Sequence, residues 1–333
     1  MLGHWGALFC IRNSYSVHFN KYPDTPGGFT GPEGPAPSIE IGRIPLRRLP
    51  MKTFHLLPTT ELRPFIDRFW GWEADSSEAI RLPTLLPGTG AELYFHYGTP
   101  FRCESGKKTT STSLGEGHLF CIRQKPIVLM PSAGLGFIAV RFRIGMLHRF
   151  TPIPATELMD ANPSVEDLWG VTGTELLRHL SYAADQRERI ALIQTFLMGK
   201  LRKDSADLLI EQGLSQLYRR STGLTVDALA TLAGLGRRQL ERRWRAFSGQ
   251  TPNGMRCLSR FQHTIRQLML NPSADTTDVA LANGYYDQAH FIHDFRSRVD
   301  SSPEKYLELA RSKTHFYNTP LGKAGNLPTP HHP

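Results

Sequence analysis

The feature that most constrains this chain is an internal repeat near its C-terminal end. Leu229-Ala-Thr-Leu-Ala-Gly234 aligns with Val279-Ala-Leu-Ala-Asn-Gly284 at an offset of 50. Beyond the turn the offset becomes 51, and Leu240, Trp244, Pro252 and Met255 match Phe291, Phe295, Pro303 and Tyr306. Each copy predicts a short helix with a small residue (Ala230, Ala280), a glycine at its end, a tight turn and a second amphipathic helix. The small residue lets two helices cross closely, and the glycine supplies a left-handed exit. That is a helix-turn-helix, a motif whose second helix can enter a major groove. The chain carries two.

Charge singles out the same region. The net charge is +9 over 333 residues. Residues 51–200 are close to neutral, with 16 Lys/Arg against 15 acids. Between Arg219 and Arg266 stand 10 arginines and no lysine, opposed only by Asp227 and Glu241, a local net of +8. Arginine forks onto phosphates and base edges, whereas lysine acts as a hydrated point charge. Groove-facing arginines are therefore expected here, with a solvated helix face as the alternative.

With 40% hydrophobic residues the chain can bury sizeable cores, and its length suggests about two domains. Pro131 and Gly134 interrupt its most apolar stretches, so no membrane partner is expected. Four scattered cysteines without zinc spacing argue against a disulfide framework or structural metal, and the chain reads as cytoplasmic. Residues 21–50 hold 7 Pro and 5 Gly, so 1–50 reads as a disordered tail, with Met51 as an alternative start. The remaining expected units are an N-terminal domain (51–203), a helical domain carrying the paired motifs (206–313) and a flexible tail (314–333).

The fold class expected is α+β. Glu61–Trp72 carries Leu62, Phe65, Ile66, Phe69 and Trp70 at helical spacing, which predicts an amphipathic helix. Short runs at Glu92–Tyr97, Leu119–Ile122, Ile127–Met130 and Gly136–Phe142 predict strands of a small mixed barrel or sandwich. Val165–Trp169, Thr174–Tyr182 and Arg187–Leu201 predict flanking helices. From residue 206 onward every patterned segment is helical: 206–220, 226–233, 237–248, 252–270, 276–283, 288–298 and 303–312.

In the first motif, Leu240, Trp244 and Phe247 mark the buried stripe. The opposite face carries Arg238, Glu241, Arg242 and Arg245, with Arg237 at the helix start. Arginine binds guanine O6/N7 in bidentate fashion, and its neighbours can clamp phosphates. In the second motif Asp287 is the expected N-cap, and Gln288, Ala289, Ile292, His293 and Arg296 form the groove face. Glutamine suits adenine, and Ala and Ile suit a thymine methyl. His290 lies between the faces, where a packing or capping role competes with base reading. The helix between the motifs, Pro252–Leu270, has 19 residues and spans about 28 Å. Successive major-groove faces on one side of B-DNA are about 34 Å apart, so such a rod can seat both recognition helices.

At this point residues 224–307, with LGRRQLERRWRAFSGQTP and GYYDQAHFIHDFRSRVDSSPEKY, resemble the AraC/XylS-type DNA-binding domain. The resemblance implies a transcription regulator with two helix-turn-helix motifs on a long helix. This chain departs from the family at three places. Gly236 replaces the usual Ser/Thr cap, Asp300 replaces the usual glycine after the last recognition helix, and His293 stands where arginine is common.

Residues 57–169, with LPTTELRPFIDRFWGW and LPTLLPGTGAELYFHYG, are similar to the N-terminal domain of one subgroup, which implies a signal-sensing module. Alternation along Glu92–Tyr97 puts Glu92, Tyr94 and His96 on one face, a candidate effector site or else a solvent-facing strand surface. Without a His-x-His partner they predict no metal site, and no cofactor is expected. The apolar stripes Leu176, Leu177, Leu180 and Ile190, Ile193, Phe196, Leu197 serve either the domain's own core or a homodimer. The partners expected are double-stranded DNA, a small-molecule effector and, for an activator, RNA polymerase. No GxSxG, Walker loop, HExxH or Cys/His/Asp cluster supports an enzyme. The rival readings give the N-terminal half a catalytic or purely protein-binding task.

Overall fold

The computed structural model describes residues 52–74, 84–105, 112–113, 115–130, 133–203, 207–219 and 223–311. The tails expected at 1–50 and 314–333 lie outside them. The fold is α+β, with strands in the N-terminal half and helices in the C-terminal half.

Nine strands run as β1 (Lys52–Leu56), β2 (Ile66–Glu73), β3 (Thr84–Leu85), β4 (Glu92–His96), β5 (Arg102–Ser105), β6 (Thr112–Ser113), β7 (Gly117–Phe120), β8 (Ile127–Leu129) and β9 (Gly136–Phe142) among the described residues. They form a five-stranded sheet, β1-β2-β9-β4-β7, and a four-stranded sheet, β3-β8-β5-β6, with antiparallel pairings throughout. Trp70, Trp72, Tyr94, Phe120 and Phe137 from the larger sheet pack with Leu85, Phe101, Cys103, Ile127 and Leu129. That aromatic layer is one of the core clusters. The opposite face of the larger sheet, through Phe69, Leu93, Phe95, Leu119, Ile138 and Val140, belongs to a second, larger one.

The helix expected over Glu61–Trp72 is corrected by the structure. Residues 60–65 form turns and Ile66–Glu73 is β2, between β1 and β9. Both faces of β2 are buried, so its apolar residues lose the alternation of a half-exposed strand and imitate helical spacing. Gly71 reflects this crowding, since a Cβ there would fall 2.0 Å from the Phe137 carbonyl oxygen.

Among the described residues, four α-helices complete the N-terminal half: α1 (Ala155–Leu158), α2 (Val165–Trp169), α3 (Val171–Tyr182) and α4 (Gln186–Lys200). Ser164 and Asp167 form a reciprocal capping box at the start of α2. Leu176, Leu180, Ile190, Ile193 and Leu197 are all buried in the larger core, which accounts for much of the two apolar stripes.

The C-terminal half contains α5 (Leu208–Arg219), α6 (Val226–Leu232), α7 (Arg237–Ser248), α8 (Pro252–Leu270), α9 (Thr276–Ala282), α10 (Gln288–Val299) and α11 (Pro303–Arg311). Thr251 Oγ1 accepts from the Gly254 N–H and Pro252 opens α8, so that rod starts with both a side-chain cap and a fixed φ. No helix among the described residues is long and apolar enough to cross a membrane.

Candidate nucleic-acid interface

The first helix-turn-helix is α6 and α7. Thr225 Oγ1 accepts from the Ala228 N–H at 3.1 Å, which starts α6, and Gly234 at φ +62° turns the chain toward α7. Leu240 and Trp244 anchor α7 in a separate core with Ile210, Leu214, Leu217, Val226, Leu229 and Met255. Gly213 lets α5 approach closely, since a Cβ there would lie 3.1 Å from the Trp244 ring. This packing turns Arg238, Arg242 and Arg245 outward.

The arginine cluster is less free than its net charge suggests. Arg237 Nη1 is 3.2 Å from Asp227 and its Nε 3.2 Å from Glu241. Arg243 Nε donates to Asp207 at 2.8 Å. Arg256 bonds Asn253, and Arg260 donates to the Gly284 carbonyl while lying 4.2 Å over the Tyr285 ring. Arg266 is half-buried beside Tyr218, and burial lowers its pKa most, followed by the neighbouring Arg68 and Arg141. Exposed Arg238, Arg242 and Arg245 have no hydrogen bond or ion pair among the described residues. Glu241 is half-buried.

The second motif is α9 and α10. Asp275 accepts from the Thr277 and Asp278 N–H groups, and Gly284 at φ +88° makes the turn. Asp287 Oδ1 accepts from the His290 N–H at 2.7 Å, the expected cap. Phe291 and Phe295 are fully buried, while Gln288, Ala289, His293 and Arg296 are exposed and Ile292 is half-buried. His290 stands edge-on to Tyr285 at 5.2 Å and its Nδ1 accepts from the Tyr286 N–H, so its ring braces the turn.

Two features escaped the sequence reading. Tyr285 Oη donates to Asp294 at 2.7 Å, and Asp294 also holds Arg298 at 2.8 Å, a brace that ties the turn to α10. Tyr286 is 87% exposed directly before the cap of α10, beside the groove face. Its buried neighbour Tyr285 masks that difference in sequence.

In the N-terminal half, Glu92, Tyr94 and His96 share the inner face of β4 and are buried, which corrects the solvent-facing alternative. Arg141 Nη1 donates to Glu92 at 2.7 Å, and Tyr94 Oη donates to the same carboxylate at 3.0 Å. His96 stacks on His118 at 5.2 Å. Among the described residues neither His96 ring nitrogen has a hydrogen-bond partner, and burial holds both imidazoles neutral, with His118 brought down to about 4. Among the described residues no group of three or more His, Cys, Asp or Glu side chains is placed to hold a metal.

The two halves meet on the first motif. Arg149 Nε and Nη2 donate to Glu211 of α5 at 2.6 and 3.0 Å. Thr89 donates through N and Oγ1 to Gln262 Oε1 of α8, and His148 stands edge-on to Phe247 at 4.4 Å. Helix α1 packs against α7. Pro154 and Thr156 line one cleft with Arg238, Glu241, Arg242, Arg245 and Ala246.

Residues 229–309 match a family described as a helix-turn-helix domain, and residues 54–164 match a domain of unknown function (DUF6597). The helix-turn-helix match and the paired motifs define a DNA-binding transcription regulator. The chain carries, over residues 229–309, the helix-turn-helix domain that its resemblance to AraC/XylS-type regulators implies. It is similar to solved ToxT from Vibrio cholerae (P21 form), with 12% identity, a TM-score of 0.41, and 78% of this chain and 98% of that one covered. Unsaturated fatty acid bound ToxT from strain SCE256 gives 11% identity, a TM-score of 0.39, and coverage of 80% and 96%. The AraC-like transcriptional activator CuxR gives 11%, 0.22, 71% and 100%. No curated protein matches the chain by sequence.

Proposed function

We propose that the protein reads two adjacent major-groove segments of one promoter or operator site. Helix α7 contributes Arg238, Glu241, Arg242 and Arg245, with Arg237 fixing the orientation of Glu241. Helix α10 contributes Gln288, Ala289, Ile292, His293 and Arg296. The observation that carries this reading is the exposed set Arg238, Arg242 and Arg245, unpaired among the described residues, on a helix whose other face is buried. The second amphipathic reader follows on the far side of the 19-residue α8. Guanidinium forks then meet guanine edges and phosphates, and salt-dependent phosphate contact supplies much of the affinity.

The N-terminal half is proposed to respond to a small molecule admitted between its sheets, where Glu92, Tyr94 and His96 meet an aromatic wall. An effector shifts the balance of two arrangements only by binding one better than the other. Selection from a random duplex pool with the full chain, then footprinting, tests the DNA reading. Protection of two boxes about one helical turn apart on one DNA face is expected. Binding without a preferred sequence would refute it.

A further inference from the structure

Matching hydrogen bonds align the two turns residue by residue. The Leu235 N–H donates to the Ala230 carbonyl at 2.9 Å, and the Tyr285 N–H donates to the Ala280 carbonyl at 3.1 Å. Leu235 is followed directly by Gly236, the N-cap of α7, whereas Tyr286 stands between Tyr285 and the Asp287 cap of α10. Tyr286 is therefore the residue by which the offset of the repeat grows from 50 to 51.

The backbone that carries this extra residue is held on both sides. Tyr285 is buried against Phe291, with ring centres 5.1 Å apart, and the Arg260 guanidinium lies over its face. Arg260 also donates to the Gly284 carbonyl at 3.0 Å. On the other side Asp287 caps α10, and the Tyr286 N–H itself donates to His290 Nδ1 at 3.4 Å. The side chain is left in solvent. It is 87% exposed, and among the described residues its ring meets no other ring and its hydroxyl has no hydrogen-bond partner. Exposure of a single aromatic is ordinary. This one is added to a turn that is otherwise pinned, at the end of α10 that approaches the bases.

In a docked helix-turn-helix the first helix crosses the DNA backbone, and the second lies in the groove with its N-terminal residues at the base edges. The residue before the N-cap lies outside the helix, between the backbone-crossing α9 and the groove-seated α10. It stands level with the phosphates that wall the groove. From this placement we propose that Tyr286 is a DNA-binding residue whose phenolic hydroxyl donates to a backbone phosphate oxygen at the edge of the box read by α10. The inference rests on the groove-reading role of α10 proposed above. Tyrosine has two side-chain torsions to fix, so little conformational entropy is lost when it makes the contact. Such a contact fixes register and carries no sequence information. Because the phenol is neutral, it releases no counterion and leaves the salt slope unchanged. It gives a directional anchor to the unit that is poor in arginine.

The test compares Tyr286→Phe and Tyr286→Ala with the unaltered full chain on a duplex recovered by the selection above. Both variants are expected to melt as the unaltered chain does, because the side chain packs on nothing. Each should bind about fivefold more weakly, with the same salt slope and the same preferred sequence on renewed selection. A scan that replaces single phosphates by neutral methylphosphonates locates the contact. At one position flanking the second box the unaltered chain should lose affinity, and Tyr286→Phe should lose nothing further. The contact is overturned if Tyr286→Phe binds as tightly as the unaltered chain, if the preferred sequence shifts, or if both proteins respond alike at every phosphate. Two more variants separate this contact from the reading role of α10. If Gln288→Ala relaxes the sequence preference while Tyr286→Phe binds undiminished, the reading stands and the contact falls. If Tyr286→Phe weakens binding while Gln288→Ala and Arg296→Ala change neither affinity nor preference, the contact stands and the reading falls.

Discussion

The two helix-turn-helix units share one scaffold and differ in what holds them. The first unit has a core of its own around Trp244, and its recognition helix begins at Gly236 with no side-chain cap. The second is buried in the cluster that continues through Leu258, Phe261 and Ile265 of α8 into the N-terminal half. Its recognition helix is capped by Asp287 and braced through Asp294. The unit with the exposed arginines is thus the separately anchored one. The unit with little net charge is rigidly built and open. Under the proposed reading, the first unit supplies electrostatic grip and the second shape.

The largest effect that can break this comparison lies in the two cores. Trp244→Ala and Phe295→Ala each empty a fully buried ring site and are expected to cost about 3–5 kcal/mol. Their reach should differ. Hydrogen exchange of Trp244→Ala is expected to lose protection in α5–α7 while α9–α11 remain slow, because the first core is separate. Phe295→Ala should loosen the second unit and the sheet behind it together. Equal loss in α7 and α10 from Trp244→Ala would dissolve the distinction.

Next in size are the side chains proposed to face DNA. Arg242→Ala is expected to lose about 1–3 kcal/mol on the selected duplex and to relax one base position. Neutralising Arg238, Arg242 and Arg245 together should lower the salt slope by about 0.9 for each phosphate left without its arginine. Arg296→Ala tests the other unit alone and should lower the slope by no more than a single phosphate's share. A larger change from Arg296 than from the three arginines would place the electrostatic grip in the wrong unit.

The helical half was legible because its periods are local. The expected limits 237–248 and 252–270 coincide with α7 and α8, since a cap or a Pro-Gly signal stands at each end and one face alone is buried. The sheets were legible only in part. β4 and β9 stood out as apolar runs, whereas β2 imitated a helix because it is buried on both faces. Residues Thr84–Leu85 and Arg102–Ser105 are strands by virtue of neighbours distant in sequence. The candidate reading face could be placed from helical spacing. That Arg243 is held by Asp207 could not, because Asp207 lies 36 residues away. The sum of charge over a segment says nothing about which charges are already paired.

A smaller effect concerns how the two recognition helices end. Gly249 and Asp300 close α7 and α10 in the same left-handed conformation, at φ +70° and +55°. Only glycine adopts it without crowding its Cβ, although aspartate tolerates it better than most residues. Asp300→Gly is expected to raise stability by about 0.5–1 kcal/mol in urea unfolding, through α10 alone. A loss instead would mean that the Asp300 side chain holds the exit.

The smallest effect is at the other end of α7. Gly236 has the extended φ/ψ of an N-cap, −67° and 147°, and a Cβ there would meet nothing within 4 Å. Serine fits without strain, and its hydroxyl can accept from the Gln239 N–H three residues on, as Asp287 accepts from His290 in the second unit. Because glycine is itself a tolerable cap, Gly236→Ser should gain only a few tenths of a kcal/mol. Its value is diagnostic. If the missing cap leaves the start of α7 free to adjust as it enters DNA, Gly236→Ser should slow amide exchange there while the preferred sequence stays the same. A change in preferred sequence would show instead that Gly236 shapes the reading surface, and the difference in capping between the two units would then belong to recognition as well as to stability.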